Sequence, residues 1–217
     1  MAELFTWINF RFLLQGLGMT LFISAISIVC SIVFGTIISI MRTSDKKVLR
    51  GVATVYIEIF KNTPLLLWIM FTFFVAQLPP IGAAVLAFTL FTSASVAEIV
   101  RGGLASVPHG QYEAAKSQGM SVVQTYILII LPQALRNMIP ALLSQFVTTI
   151  KDTSFLWGAM ALQELMGRGM ILMNNYNSTE QIFTIFGIMA LMYFIVCFAL
   201  SQLVRAYQRK LKRARNN

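Results

Sequence analysis

Five stretches of this chain are too long and too apolar to be left in water. They cover roughly residues 12–41, 52–77, 82–100, 123–150 and 182–204. Each comes close to or exceeds the ~20 residues that a helix needs to cross the ~30 Å hydrocarbon core of a bilayer. The expected fold is therefore all-α, an integral membrane bundle of about five transmembrane helices. Composition agrees: 57% of residues are hydrophobic and 12% charged, with a mean hydropathy of +0.74, which excludes an ordinary soluble domain. A length of 217 residues allows one membrane domain, 1–217, with a few spans. Leu78, Pro79, Pro80 and Ile81 make a short turn that sends the third span straight back. No cleavable leader is expected, because the first apolar stretch is too long and lacks a basic segment before it. Cys30 and Cys197 lie inside apolar runs and read as packing residues. With one histidine, His109, and no Cys/His cluster, no metal site is expected.

Positive charge sets the orientation. Arg42, Lys46, Lys47 and Arg50 fill the first loop, and Arg101 and Lys116 flank or occupy the third. Arg205, Arg209, Lys210, Lys212, Arg213 and Arg215 make a basic tail over about 205–217, while the opposite side has little beyond Arg11 and Arg168. The positive-inside rule then puts the N-terminus outside and the C-terminus in the cytoplasm. This accounts for the net charge of +9 without invoking nucleic acid, since a basic tail after a last span is routine.

Under that topology the loop at about 102–122 is cytoplasmic, and it is the most polar part of the chain between spans. Pro108 and Gly110 stop the third span. Gln111 to Gln118 then have room for two helical turns, ended by Gly119. Ser121, three residues before Gln124, is placed for a capping box that starts the next helix. So short a helix is unstable alone and has to be held by neighbours.

The same region carries a spaced pattern: Glu113-Ala114-Ala115, three residues, Gly119, nine residues, then Ile129-x-Leu131-Pro132. It resembles the cytoplasmic coupling loop of the membrane subunits of ABC importers. The resemblance extends to Ile57–Leu66 (IEIFKNTPLL), Ser95–Leu104 (SVAEIVRGGL) and Ile150–Phe155 (IKDTSF), which look like the polar amino-acid branch that takes up histidine, glutamine, arginine or glutamate. One departure is Ser95, where such permeases often carry an aromatic three residues before the third-span glutamate. The resemblance implies a multi-pass subunit of the bacterial plasma membrane that moves a polar amino acid. It also implies a second permease subunit, identical or homologous, a dimer of ABC ATPase subunits below, and an extracytoplasmic binding protein above. Glu113, Ala114, Ala115 and Gly119 are then the ATPase-coupling residues: a carboxylate acceptor, a low-relief surface, and a residue that permits a sharp reversal.

Ionisable groups in or beside apolar spans cost roughly 2.5–3.5 kcal/mol each on insertion scales, so they usually face a cavity or a partner. Glu58, Lys61, Glu98, Arg136, Lys151 and Asp152 are such groups. Glu58 sits at mid-depth in the second span, beside a helix break expected at Thr63-Pro64. Glu58 and Lys61 are spaced i,i+3, as are Glu98 and Arg101, so either pair is also placed to neutralise itself. Asp152, Thr153 and Ser154 fall just past the fourth span, where they line an outer vestibule. Pro132 and Pro140 interrupt the ladder of that span, which should therefore lie inside the bundle or line a cavity. The candidate solute pathway is Glu58, Lys61, Thr63, Glu98, Asp152, Thr153 and Ser154, with Glu58 and Glu98 receiving an amino group and Lys61 a carboxylate.

No G-x-x-x-x-G-K-[ST] loop, H-E-x-x-H pair or nucleophile elbow occurs, so no enzymatic activity is expected. The chain is expected to bind no cofactor, with ATP and magnesium on the partner ATPase. The competing reading is an ion-coupled secondary amino-acid carrier. Against it stand the coupling-loop pattern and the lack of an evident inverted repeat.

Overall fold

Thr6 opens the first helix, α1 (Trp7–Arg42), its side chain accepting the Asn9 backbone N–H at 3.2 Å. The computed structural model describes residues 6–216, apart from the side chains of residue 210 and residues 212–216. At 1.5 Å per residue the 36 residues of α1 span about 54 Å, more than the hydrocarbon core requires. The buried residues Leu13, Gly16, Thr20, Ser24, Ser27, Ser31, Gly35 and Ile38 recur every three or four positions, which defines one face. Most are small, which lets helices approach closely in a solvent that gives no hydrophobic drive between them.

The partner of that face is α4 (Pro80–Ala105). A Cβ on Gly35 would come within 2.7 Å of Val96 Cβ and 2.8 Å of the Ser93 carbonyl, so the backbones meet where a side chain has no room. Ser31 donates to the Thr89 carbonyl across the same seam at 3.3 Å. Pro80 stands in the first turn of α4, where its missing N–H costs nothing.

The second apolar stretch is not straight. It divides into α2 (Lys47–Lys61) and α3 (Leu65–Phe74), bent by 104°. Pro64 removes a backbone donor and pushes Thr63 out of helical geometry. Side chains reinforce the last turn: Thr63 Oγ1 donates to Ile59 O at 2.6 Å, and Asn62 Nδ2 donates at 2.8 Å to the Glu58 carbonyl that already accepts Asn62 N. The expected break at Thr63-Pro64 is therefore present.

After α4 come α5 (His109–Ser117), α6 (Val122–Thr125), a π-turn (Tyr126–Ile130) and α7 (Leu131–Asp152). Two expectations need correction here. Gly110 lies within α5 and does not stop a helix; Ala105 ends α4, and Pro108 precedes α5. The fourth span passes both its prolines as a helix. The π-turn leaves Pro132 in the first turn of α7, and Pro140 is carried inside it. Nor is this span enclosed: only 17% of its most apolar window is buried within the chain.

Two short helices, α8 (Phe155–Met160) and α9 (Leu165–Met173), precede α10 (Thr179–Asn216). α10 continues as a helix past the expected end of the span at 204 and takes in the basic tail. The side chains of Lys210, Lys212, Arg213 and Arg215 lie outside the described residues. Among the described residues the bundle has four long apolar helices and one bent pair, so four crossings, or the expected five where the bent pair makes one span.

Candidate functional site

The coupling loop folds as its spacing implies, down to the individual caps. Ser121 Oγ accepts Gln124 N at 3.3 Å and Gln124 Oε1 accepts Ser121 N at 2.9 Å, a complete capping box. At the other end Gly119 has φ +74°, Gly119 N donates to Lys116 O at 3.0 Å and Met120 N to Ala115 O at 3.1 Å. These are the two bonds of a Schellman cap.

Of the four proposed coupling residues, Glu113, Ala114 and Gly119 are exposed. Ala115 is not: it is 2% exposed and turned into the chain. Helical periodicity accounts for this: at about 100° per residue Glu113 and Ala114 share the outward side, while Ala115 stands about 200° from Glu113 on the opposite one. Glu113 Oε1 lies 3.1 Å from His109 Nδ1, with both side chains in the open.

α5 rests on the start of the next span, against α6 and the π-turn. Tyr112 meets Tyr126 edge to face at 5.4 Å between centroids, and Gln133 Nε2 donates to Gln111 Oε1 at 3.2 Å. Tyr112 also packs on a buried cluster of Val107, Ile130, Ala134 and Met138. Burial, together with the neighbouring Tyr126, pushes the Tyr112 phenol up to about 12, so it stays protonated at physiological pH.

Because the first turns of the fourth span stand beside the coupling helix, its far end falls short of the outer surface. Thr149 and Thr92 place their hydroxyl oxygens 3.5 Å apart, and Thr92 is at the middle of α4. Lys151 and Asp152 are therefore only about 3–5 Å beyond mid-depth, at 1.5 Å per residue. Asp152, Thr153 and Ser154 follow directly on this contact. Asp152 is half-buried, Thr153 is buried and donates to Ile150 O at 2.8 Å, and Ser154 is half-buried.

The broken second span delivers its polar groups to the same level. Tyr56 OH bonds Leu90 O and Ser93 Oγ, both at 2.8 Å, which fixes that turn against the centre of α4. Glu58 is two residues further on, exposed, and accepts from Asn62 Nδ2 at 2.9 Å. Lys61 is exposed, and the described ion pairs do not include one between it and Glu58. Thr63 accepts Trp68 Nε1 at 2.7 Å, which ties the break to the ring pair Phe60–Trp68.

Between these two polar ends α4 shows a partly open strip. Its residues 90, 93 and 97 face α2, while 92, 99 and 103 face α7. Phe91, Ser95, Glu98 and Gly102 follow each other at helical spacing on the side left over, and none of them is buried. Towards the coupling end the strip continues as a groove lined by Gly102, Ser106, Asn137 and Ala141. Asn137 Nδ2 donates to Ser106 Oγ there at 2.8 Å.

Glu98 lies on that strip, but both of its oxygens are taken. Arg42 at the end of α1 pairs with Oε1, and Arg101 reaches Oε2 at 2.9 Å. The i,i+3 neutralisation legible in the sequence is thus present, with a second arginine added by the fold. Arg136 is exposed.

Sequence reasoning missed one residue altogether. Glu164, fully buried, caps α9 and bonds both α1 and α10. It sits outside the five apolar windows, so an inventory of charges inside spans passes it by. A hint was available in the run Glu164-Leu165-Met166-Gly167: an N-capping acid before a short apolar helix.

With this geometry in view, comparisons with known proteins are informative. A family model described as binding-protein-dependent transport system inner membrane component matches residues 31–213. The chain is 43% identical over 204 residues to the probable glutamine ABC transporter permease protein GlnP of Bacillus subtilis (strain 168), covering 91% of this chain and 92% of that one. It is 33% identical to the glutamine transport system permease protein GlnP of Escherichia coli (strain K12), with 95% of each chain covered. Among solved structures it resembles a crystal structure of an amino acid ABC transporter with histidines. The TM-score is 0.84, the identity 30%, and the coverage 92% of this chain and 94% of that one. Full-length agreement in sequence and fold leads to one statement: the chain belongs to the family of inner membrane components of binding-protein-dependent transport systems.

Proposed function

We propose that this chain is the membrane permease subunit of an ABC importer for a polar amino acid, with glutamine as the first candidate. One observation carries this reading. An exposed helix closed by a Schellman cap is fastened to the foot of a continuous helix whose other end sets Lys151 and Asp152 level with the break at Glu58 and Lys61. Motion imposed on α5 from below would reach the mid-membrane polar groups through α7 without passing a flexible joint. The whole chain, 1–217, acts as one domain, with the coupling loop at 102–122 and the basic tail at 205–217 on the cytoplasmic side.

The partners follow from the same reading. A dimer of ABC ATPase subunits grips α5 through Glu113, Ala114 and Gly119, hydrolyses ATP, and carries the nucleotide and magnesium. A second permease subunit covers the open strip of α4 with the polar sides of α2 and α7, because bare polar groups there are expensive in lipid. A binding protein delivers solute from the outer face. ATP-driven closure then exchanges two arrangements of the bundle, one open outward and one inward.

Within the pathway, Glu58 faces an amino group and Lys61 a carboxylate. Glu98 is a poor receptor for a cation, since two arginines already hold its carboxylate, so Asp152 is the better acid on the other side. Glu58→Gln keeps the shape and removes the charge. Reconstituted with ATPase and binding protein, it should transport L-glutamine several-fold more slowly at limiting solute, with normal membrane abundance and basal ATPase activity. Wild-type rate and substrate dependence would remove Glu58 from the pathway.

A further inference from the structure

Glu164 is the one fully buried acidic or basic side chain among the described residues. Its carboxylate accepts four hydrogen bonds. Gly167 N donates to Oε1 at 2.8 Å; Met166 N at 2.9 Å, Thr20 Oγ1 at 3.2 Å and Tyr193 OH at 2.8 Å all donate to Oε2. Thr20 has its own hydroxyl oxygen occupied by Leu165 N at 3.3 Å, which fixes its hydrogen towards Glu164. Two of the donors are backbone N–H groups, one on each carboxylate oxygen, and two are hydroxyls. The first turn of α9 adds its own favourable field.

The surroundings leave little play. A Cβ on Gly16 would stand 3.0 Å from Glu164 O and Leu165 Cα, and one on Gly167 would stand 2.5 Å from Leu162 O. The acid is therefore a fixed point joining α1, α9 and α10. Tyr193, which hangs from it, does more than fill space. Its ring lines a cavity of about 330 Å³ together with Lys151 and Ser154 from the end of α7, and with Met166, Phe186 and Met189.

We propose that Glu164 is a positioning residue for solute passage: it holds the Tyr193 hydroxyl and so sets the wall that α10 presents to Lys151 and Ser154. Freed of that bond, the phenol keeps only Thr153 and Thr20 as hydroxyl neighbours, and its ring loses the pin that sets it beside Lys151 and Ser154. This rests on the functional reading above and adds the tuning of its mid-membrane site from a residue that touches no solute.

The test uses the reconstituted complex with its ATPase and binding protein, and L-glutamine, L-glutamate, L-histidine and L-arginine as probes. Tyr193→Phe deletes the hydroxyl and leaves three donors on Glu164. Glu164→Met keeps length and removes the acceptors. Each should raise the KM for the transported amino acid about five-fold with kcat within about two-fold, and the double variant should be no worse than Glu164→Met alone. An unchanged KM with a lowered unfolding temperature would make Glu164 a packing pin and overturn the proposal. If Glu164→Met does not accumulate, Tyr193→Phe decides by itself, and a wild-type KM in it is again fatal. A wild-type complex that carries none of the four probes overturns the functional reading first, and this proposal with it.

Discussion

Gly119 lets the cap of the coupling helix be separated from its surface. Its φ of +74° places it in the left-handed region, and a Cβ built there meets no atom within 4 Å. Substitution therefore carries a conformational cost and no steric one. For an ordinary L-residue that cost is about 1–2 kcal/mol; asparagine and aspartate lie at the low end, and a β-branched residue above it. Set against this are the two Schellman bonds, about 1 kcal/mol each, and a helix of nine residues that is too short to survive unaided. Gly119→Asn and Gly119→Asp should both keep the cap, while Gly119→Val should fray it. Aspartate alone adds charge to the docking surface.

The assay is uptake and ATP hydrolysis measured on the same proteoliposomes, with membrane abundance as control. Asparagine should retain more than about half of coupled uptake. Aspartate should lower uptake and stimulated hydrolysis together by about tenfold, equivalent to ~1.4 kcal/mol of lost docking, and valine should fall between them. Normal uptake and normal stimulation in Gly119→Asp would refute the assignment of this surface to the ATPase. Equal damage from asparagine and aspartate would show that shape, and not charge, is read there.

Two further outcomes are expected. Gly35→Ala should lower the unfolding temperature in detergent, since overpacking a tight seam costs about 1–3 kcal/mol. Gly18→Ala, where nothing lies within 4 Å, should hold or raise it by the ~0.5–1 kcal/mol that alanine gains in a helix; equal behaviour of the two would mean that α1 and α4 are not packed through Gly35. In a Cys30→Ala, Cys197→Ala background, an impermeant maleimide applied to intact cells should label Asn174→Cys and not Lys46→Cys. The reverse pattern would overturn the external N-terminus.

The apolar spans, the break at Thr63-Pro64, the Gly119 cap that ends α5 and the Ser121 box that starts α6 were legible in the residues alone. Each depends on contacts within a few positions: a run of apolar side chains, a missing proline N–H, a serine facing a glutamine three residues on, a glycine able to take positive φ. Register between distant segments was not legible. Nothing near Asp152 says that its helix meets the middle of α4 through Thr149 and Thr92. Glu98 showed its helical partner Arg101, one turn away, but not Arg42, 56 positions back. Ala115 belonged to a recognisable pattern, yet only the docking of α5 on the rest of the chain decides which alanine of the pair faces outward. Glu164 lay outside every apolar window and became a buried charge only when α1, α9 and α10 closed around it. Local hydrogen bonding and solvent preference are written along the chain; which polar groups meet at the same depth is settled by close helix packing at small residues such as Gly16, Gly35 and Gly169, and that is a property of the assembled bundle.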